Sequence, residues 1–285
     1  MNDTNYTEAD IRSMVTQILA GMAGTTGAAP EAGRITGDEP TDPLDQIAVP
    51  HPANRAALEE MVKATPARIG QFRAGPRPTC QSLLRFRADH AAAMDAVFND
   101  VPSELPEKMG LYSVQSAAPD KASYLMDPTI GAQFTDETKK QVSDHCVHGA
   151  QVQIVVSDGL SSTAVESNIP DLLPSLLQGL SRQGLKVGTN MFVKYGRVRV
   201  MDEVSALLSP EVTLILLGER PGLVTNESLS CYMVYKGYPG VPENVRTVVS
   251  NIYHKGTPPS EAGAYIADIA KKMLDAKASG MDLKL

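Results

Sequence analysis

A short charged loop, G-E-R-P-G at residues 218–222, follows directly on an almost unbroken apolar run, Val212 to Leu217. The run is aliphatic and partly β-branched, which predicts a strand buried on both faces. Ligands of open α/β sheets bind beyond the carboxyl ends of the strands, where this loop must lie. Two glycines and a proline tighten the loop, so Glu219 is a candidate ligand-binding carboxylate. The alternative is a surface turn that carries a solvated Glu219–Arg220 ion pair.

Two further polar groups follow a predicted buried strand at 151–156. Asp158 stands at the end of this strand and is a candidate catalytic carboxylate, although no histidine is evidently paired with it. Ser161 and its neighbour are interpreted as helix caps and not as nucleophiles, with Ser162 or Thr163 capping the helix that follows. The sequence lacks the motifs G-x-G-x-x-G, G-x-x-x-x-G-K-[ST], H-E-x-x-H and G-x-S-x-G. It therefore indicates a chain that binds a ligand without a full reacting site.

The sequence H-C-V-H at 145–148 is the densest group of potential metal ligands. It lies at the end of a helix predicted over 135–147. No other Cys/His pair lies near it in the sequence to complete a tetrahedral zinc set, so no metal site is predicted.

Residues 67–87 are the most basic part of an otherwise acidic chain. The stretch R-A-G-P-R-P at 73–78 cannot be helical, because each proline disfavours helical geometry in the residue before it. Arg73 and Arg77 are thus held on a stiff segment that suits bidentate contacts with carboxylates or phosphates. A rim of solvated arginines is the alternative.

Composition excludes several classes of protein. The chain has 285 residues, of which 42% are hydrophobic, enough to bury a full core. Its net charge of −7 argues against a protein that binds nucleic acid by neutralising phosphates. No apolar run is long enough to span a bilayer, and there is no basic-then-apolar signal peptide. Three widely spaced cysteines, Cys80, Cys146 and Cys231, indicate a reduced, cytoplasmic protein without a disulfide framework.

Four segments are predicted along the chain. Residues 1–22 contain an amphipathic helix from Tyr6 to Met22, and residues 23–50, rich in Gly, Ala, Thr, Pro and acidic residues, should be a flexible linker. A lone amphipathic helix on a tether either docks on the main domain or is reserved for a partner. Residues 51–105 form a helical, Arg-rich region, and residues 106–285 form an α/β domain.

Strands and helices alternate through the last segment, which predicts a doubly wound, mostly parallel, Rossmann-like sheet. The expected strands lie at 111–116, 151–156, 187–193, 197–200, 212–217, 228–235 and 246–252. The expected helices lie at 54–63, 135–147, 171–183 and 202–208, and a further helix, capped by Thr79, should run to Phe98. A last helix should be capped by Thr257, begin at Pro258 and end at Gly280.

Several specific sequence blocks follow one another along the chain. They read R-A-G-P-R-P (73–78), L-L-R-F-R-A-D-H (83–90), V-S-D-G-L-S (156–161), G-L-K-V-G-T (184–189), Y-G-R-V (195–198), L-G-E-R-P-G-L (217–223), E-S-L-S-C-Y (227–232), S-N-I (250–252) and G-T-P-P (256–259). From about Ala67 to the C-terminus, the chain closely resembles the small (light) subunit of ethanolamine ammonia-lyase. The resemblance implies adenosylcobalamin-dependent conversion of ethanolamine to acetaldehyde and ammonia by radical chemistry.

The family also implies a division of labour between two subunits. The large subunit holds the substrate, and the small subunit covers the cobalamin and completes its pocket. By position, the resemblance places cobalamin contacts on Val198, Glu219 and Val248 of this chain. Glu219 and main-chain groups can hydrogen-bond the amide arms of a corrin, whereas valines offer packing and their own peptide groups. We further expect Arg73 and Arg77 to support subunit assembly or the cofactor pocket.

The sequence lacks the D-x-H-x-x-G spacing by which one class of cobalamin proteins supplies an axial histidine. Neither Asp89-His90 nor Asp144-His145 has this spacing. The absence agrees with the family's habit of leaving the cofactor's own base on cobalt.

Residues 1–22 resemble in character the segment that such subunits carry in bacteria that package the enzyme in a protein-shelled microcompartment. The resemblance implies docking on shell proteins, and a cytoplasmic hetero-oligomer built from large–small pairs inside the microcompartment. No nucleic-acid or membrane partner is expected. Two other functions stay open, namely a stand-alone α/β module for a nucleotide-like ligand and a small hydrolase that uses Asp158 or Ser161.

Overall fold

The computed structural model of the protein describes residues 47–65 and 67–284, so the predicted helix at 6–22 lies outside the described residues. In this part the α-helices are α1 (Arg55–Lys63), α2 (Cys80–Phe98), α3 (Glu104–Lys108), α4 (Lys121–Met126), α5 (Asp136–His145), α6 (Ser162–Arg182), α7 (Val200–Leu208) and α8 (Pro259–Ala276). The strands are β1 (Arg73–Ala74), β2 (Arg77–Pro78), β3 (Tyr112–Gln115), β4 (Val152–Ser157), β5 (Met191–Lys194), β6 (Val212–Gly218), β7 (Leu229–Tyr235) and β8 (Thr247–Ile252).

The main sheet contains six strands in the described part of the chain, in the order β3-β5-β4-β6-β7-β8. Strands β3, β5, β4 and β6 pair in parallel, whereas β7 is antiparallel to both of its neighbours, β6 and β8. The predicted α/β class is confirmed. The sheet is mixed because a short loop joins β6 to β7, and a parallel strand needs a longer crossover connection.

Helices cover both faces of the sheet and bury two apolar layers. On one face α6 and α8 contribute side chains such as Leu172, Leu176 and Ile266. On the other face α5 and α7 contribute Val142 and Val204. Strand β6 lies between the two layers and all of its residues are buried, which confirms the prediction of a strand buried on both faces.

Helix α6 corrects the helix predicted at 171–183. It begins at Ser162, and both Pro170 and Pro174 lie inside it. Proline removes a backbone N–H donor and normally ends or kinks a helix. The helix continues here because its buried face includes residues before, between and after the prolines, so tertiary packing outweighs the local preference.

The segment after β5 corrects two other predictions. The strand expected at 187–193 is limited to the end of that range, and the strand expected at 197–200 is a turn that leads into α7. Tyr195 has a φ of 58°, which ends the extended structure. A side chain at Gly196 would collide with the Ser157 hydroxyl, so the chain passes too close to β4 to continue as a strand.

Helix α8 begins and ends differently from its prediction. Pro258, not Thr257, occupies the cap position, and no side chain caps the helix. Thr257 instead forms an isolated β-bridge with Ile252. The helix stops at Lys277 and not at Gly280, because Lys277 adopts the left-handed geometry that closes a last turn, with a φ of 52°.

Candidate functional site

The carboxyl ends of β4 and β6 approach so closely that glycine is required on both sides. The Leu160 amide donates a hydrogen bond of 2.9 Å to the Gly218 carbonyl oxygen. A Cβ at Gly159 would collide with that oxygen, and a Cβ at Gly218 would collide with the Ser161 carbonyl oxygen. This contact fixes the start of the loop that carries Glu219 at the carboxyl edge of the sheet.

Glu219 is held by one backbone contact and one side-chain contact. Its amide donates to the Ser228 carbonyl oxygen at 2.9 Å, and its carboxylate accepts a 2.6 Å hydrogen bond from the Tyr232 hydroxyl. Burial, together with the hydrogen bond to Glu219, raises the pKa of Tyr232, which keeps its proton in place. Tyr232 thus orients a carboxylate that has further lone pairs for a ligand. Sequence reasoning missed Tyr232, although it lies in one of the matched blocks.

Val248 lies beside this pair. It is the partner of Tyr232 in the antiparallel β7–β8 ladder, so both side chains point to the same face of the sheet. Val248 is 47% exposed, which is unusual for a valine in a strand. Val198 is partly buried and packs on the same apolar layer as Tyr232. The residues predicted to contact the cofactor therefore share one face of the sheet, and their role stays a prediction.

A polar network holds the turn that leads to Val198. The Tyr195 amide donates to the Asp158 carboxylate at 2.7 Å, and the Gly196 amide donates to the Ser157 hydroxyl at 3.1 Å. The Tyr124 hydroxyl bonds the carbonyl oxygens of Gly159 at 2.7 Å and Gly196 at 3.0 Å. These bonds support the positive φ of Tyr195 and connect the end of β5 to the end of β4.

Asp158 is a support for this turn rather than an open catalytic carboxylate. Its side chain is 1% exposed, and the Lys121 ammonium lies 3.6 Å from the other carboxylate oxygen. Burial raises the pKa of Asp158 to about 6, against the opposing effects of Lys121, the Tyr195 amide and Ser157. A carboxylate closed off in this way cannot reach a substrate.

Ser161 is the N-cap of α6, which confirms its interpretation as a helix cap and corrects the expectation that Ser162 or Thr163 would hold that position. Its hydroxyl accepts a 3.0 Å bond from the Ala164 amide and donates a 2.5 Å bond to the Asn226 carbonyl oxygen. The side chain is buried. The residue is therefore not exposed as a nucleophile.

A second charged group at the same edge could not be predicted from sequence spacing. Asp100 lies 2.8 Å from the Lys194 ammonium and 3.5 Å from that of Lys121, and it accepts a bond from the Tyr195 hydroxyl at 3.1 Å. These residues come from distant parts of the chain. They extend the support of the Tyr195 turn toward solvent.

A cleft of about 420 Å³ opens over the first turn of α7, next to Val198. Its polar lining includes Gln133, Arg199 and Asp202. Asp202 forms a buried ion pair of 2.6 Å with Arg246. Burial raises the pKa of Asp202, although the Arg246 guanidinium opposes this shift.

The arginines of the basic stretch separate into two groups. Arg68 and Arg85 pair with Asp89, the latter at 2.8 Å, and so belong to the interior support of α2. Arg73 and Arg77 are exposed on the β1–β2 hairpin, in which Arg73 pairs with Pro78 and Ala74 with Arg77. The two arginines named as candidate supports therefore point away from the fold.

The H-C-V-H sequence has structural contacts. His145 Nδ1 lies 3.0 Å from the Gln141 carbonyl oxygen, and His148 Nε2 lies 2.8 Å from the Ser143 carbonyl oxygen. Across residues 47–65 and 67–284, no group of His, Cys, Asp or Glu side chains could hold a metal ion. In the same ranges, no helix combines the length and apolar character needed to cross a membrane.

Comparison with known proteins assigns this fold to a family. The family model "Ethanolamine ammonia-lyase light chain (EutC)" matches residues 55–284. The chain belongs to the ethanolamine ammonia-lyase light-chain family. The match begins at the first residue of α1 and covers every helix and strand of the described part.

Relatives of this light chain are similar over almost their whole length. The ethanolamine ammonia-lyase small subunit of Clostridium tetani is 46% identical over 98% of this chain and 100% of its own length. That of Fusobacterium nucleatum is 49% identical over 90% of this chain and 86% of its own length. That of Listeria innocua is 44% identical over 97% of this chain and 99% of its own length. The aligned lengths thus include most residues that precede the family-model match.

Replacing Asp158 by Asn should change how the stability of this light chain depends on pH. The pKa of about 6 exceeds the ordinary value of 3.8, so the folded state binds this proton more tightly than the unfolded state. As pH rises from about 4 to about 7, the wild-type free energy of unfolding should lose on the order of 3 kcal/mol through this group. Asparagine keeps an acceptor for the Tyr195 amide and does not titrate, so Asp158→Asn should lack this loss in urea denaturation.

Asp120→Asn is the control, because Asp120 should change the pH dependence of stability in the opposite direction. Asp120 is exposed and caps α4, and the Ser123 backbone amide lowers its pKa. Its contribution to stability is present at neutral pH and is lost on acidification. Identical pH profiles for wild type and Asp158→Asn would show that Asp158 titrates normally.

Proposed function

We propose that this chain is the small subunit of an adenosylcobalamin-dependent ethanolamine ammonia-lyase, and that it completes the cobalamin pocket and binds the catalytic large subunit. The observation that carries the proposal is the similarity to small subunits over nearly the full length. The exposed face at Glu219 and Val248 supports it. Neither observation favours a stand-alone binding module, and the burial of Asp158 and Ser161 disfavours a hydrolase.

The residues on this face have the chemistry that a corrin requires. A corrin has apolar ring surfaces edged by amide arms, so it needs both apolar contacts and hydrogen-bond acceptors. Val248, exposed in its strand, and Val198, partly buried, offer the apolar contacts. The Glu219 carboxylate, oriented by Tyr232, offers the acceptor for an amide N–H.

In this proposal the light chain holds the cofactor in position and shields it from water. The bound adenosylcobalamin supplies the radical chemistry. Tyr232 holds Glu219 in one orientation, and the Asp158 and Tyr124 network holds the turn before Val198. A face fixed in advance loses little conformational freedom when a ligand binds, and it keeps water away from the ligand.

Assembly with a large subunit follows from the family's name and from the content of the site. The two groups considered for catalysis, Asp158 and Ser161, are buried, which supports a substrate site outside this chain. We place it on the large subunit, in a hetero-oligomer of large–small pairs. In the domain division that we propose, residues 51–105 form the Arg-rich region and residues 106–285 cover the cobalamin.

Residues 1–22 are proposed to dock on shell proteins of a bacterial microcompartment in the cytoplasm, through a linker at 23–50. Deleting residues 1–22 should leave ammonia release by the assembled enzyme unchanged and abolish its co-sedimentation with shells. Loss of activity or an earlier thermal transition would instead assign the segment to the folded domain.

Turnover should require both subunits. The chain alone, given ethanolamine and adenosylcobalamin, should release no ammonia, because the two groups considered for catalysis, Asp158 and Ser161, are buried. Co-expression with a candidate large subunit should give a stable complex whose ammonia release depends on adenosylcobalamin. Ammonia release by the purified chain alone would contradict this division of labour, and failure to form an active complex would contradict the proposed function.

Replacing Glu219 by Ala should weaken cobalamin binding by the assembled enzyme. A charge-assisted hydrogen bond from a corrin amide is worth about 1.5–3 kcal/mol, so the affinity should fall by roughly one to two orders of magnitude. Glu219→Gln keeps an acceptor and should lose less. The affinity for ethanolamine should change far less, and spectroscopic titration of cobalamin beside steady-state kinetics separates the two.

Glu261→Ala is the matched control. Glu261 is an exposed carboxylate in the first turn of α8, on the helix that covers the opposite face of the sheet. Its removal should leave cobalamin affinity unchanged. Wild-type cobalamin affinity in Glu219→Ala would show that the loop at 218–222 is only a turn.

A further inference from the structure

Helix α2 exposes its apolar side chains and buries small ones. Its buried residues are Ser82 and Ala96. Its exposed large apolar residues are Leu83, Leu84, Phe86, Met94 and Phe98, which we call the α2 outer stripe. They are between 37% and 67% exposed. An apolar group of this size on one helix is typical of a surface that another molecule covers.

Polar contacts fix the orientation of α2, so the stripe cannot turn inward. Arg68, which lies outside the helix, pairs with Asp89 on its inner side. The Ser162 hydroxyl donates to the Ala96 carbonyl oxygen at 3.4 Å, which joins α2 to the start of α6. The exposure of the stripe is therefore a property of the folded domain.

Arginines border the stripe and indicate the charge of its partner. The β1–β2 hairpin enters α2 directly through the Thr79 cap and exposes Arg73 and Arg77. Arg87 is exposed on the helix itself, one turn after Leu83 and so on the same face as the stripe. These cations stand out in a chain of net charge −7. A complementary partner surface is apolar at its centre and carries carboxylates at its border.

Helix α2 lies next to the loop that carries Glu219. The Arg68 guanidinium donates to the Leu223 carbonyl oxygen at 3.4 Å, and the Asn226 amide donates to the Ala92 carbonyl oxygen at 3.5 Å. Both bonds join the region of α2 to the loop that begins at Glu219. Val224 on this loop is 37% exposed and adds to the apolar surface. A partner that encloses a ligand at Glu219 lies next to α2.

We propose that the α2 outer stripe, with Arg87 on the same helix face and Arg73 and Arg77 at its border, is the surface through which this chain docks on the large subunit. The inference rests on the proposed function, because it takes the large subunit as the occupant. In the proposed interface, the apolar face of α2 packs against an apolar region of the partner. Arginines of this chain pair with carboxylates of the partner at the border. Phenylalanine, methionine and arginine are all enriched at protein interfaces relative to the rest of the surface.

Charge placed in the stripe tests the proposal. Leu84→Asp and Phe98→Asp should each weaken binding of the purified large subunit by about tenfold or more, because a buried carboxylate would replace an apolar contact. Arg73→Ala with Arg77→Ala should weaken it less and reduce its dependence on salt. Tyr265→Asp, at an exposed aromatic on α8, is the matched control and should bind normally. Circular dichroism of each variant should match wild type, since every replaced side chain is exposed.

Three outcomes would overturn the proposal, each distinguishable from failure of the proposed function. If both stripe variants bound the large subunit as tightly as wild type, and wild type formed an active complex, the stripe would not be the docking surface. The proposed function would stand. Loss of self-association of the isolated chain in light scattering, with large-subunit affinity unchanged, would assign the stripe to a second copy. If deletion of residues 1–46 restored the affinity of the stripe variants for the large subunit, their defect would act through that segment. The stripe would then not be the docking surface itself. If wild type itself formed no complex, the proposed function would fail first.

Discussion

The close contact between the ends of β4 and β6 is the constraint on which the site depends. Gly159 and Gly218 bring two backbones together at a distance that admits no Cβ, and the Leu160 amide bonds across the gap. On one side of this contact the chain continues into the loop of Glu219. On the other side it presents Asp158 to the Tyr195 turn. A single backbone contact thus sets the relative position of both parts of the candidate site.

In the Asp158 network, a buried carboxylate holds a backbone turn in place. Burial disfavours the ionised carboxylate, as its raised pKa records. The carboxylate in return binds the amide of Tyr195, a residue with a positive φ, and attracts Lys121. The unfavourable desolvation and the unusual backbone geometry are confined to the segment that leads to Val198. Such a network favours one conformation of that segment over others.

The two apolar surfaces left open by the fold have different origins. Val248 is exposed because β7 and β8 extend the sheet beyond the end covered by α7, so a strand face is left bare next to Tyr232 and Glu219. The α2 stripe is exposed because the inner side of that helix is occupied by the Asp89 ion pairs and small residues. Both surfaces adjoin the loop at 219–228. Their common proximity to this loop suits a subunit that closes over a ligand held by its partner.

The sequence by itself determined the α/β class, the buried β6 strand, the cap at Thr79 and the family, because periodicity, caps and ordered sequence blocks are local signals. Tertiary structure decided the remainder. Helix α6 runs through two prolines because its buried face supplies more free energy than they remove. The strand expected at 197–200 gave way to a turn because contacts with β4 and with residue 131 require it. The cluster around Asp100 joins residues far apart in the chain, and no local spacing encodes contacts that only chain crossing creates. Glu219 and Tyr232 are close in sequence, but the contact between them depends on the β6–β7 register, which the fold decides.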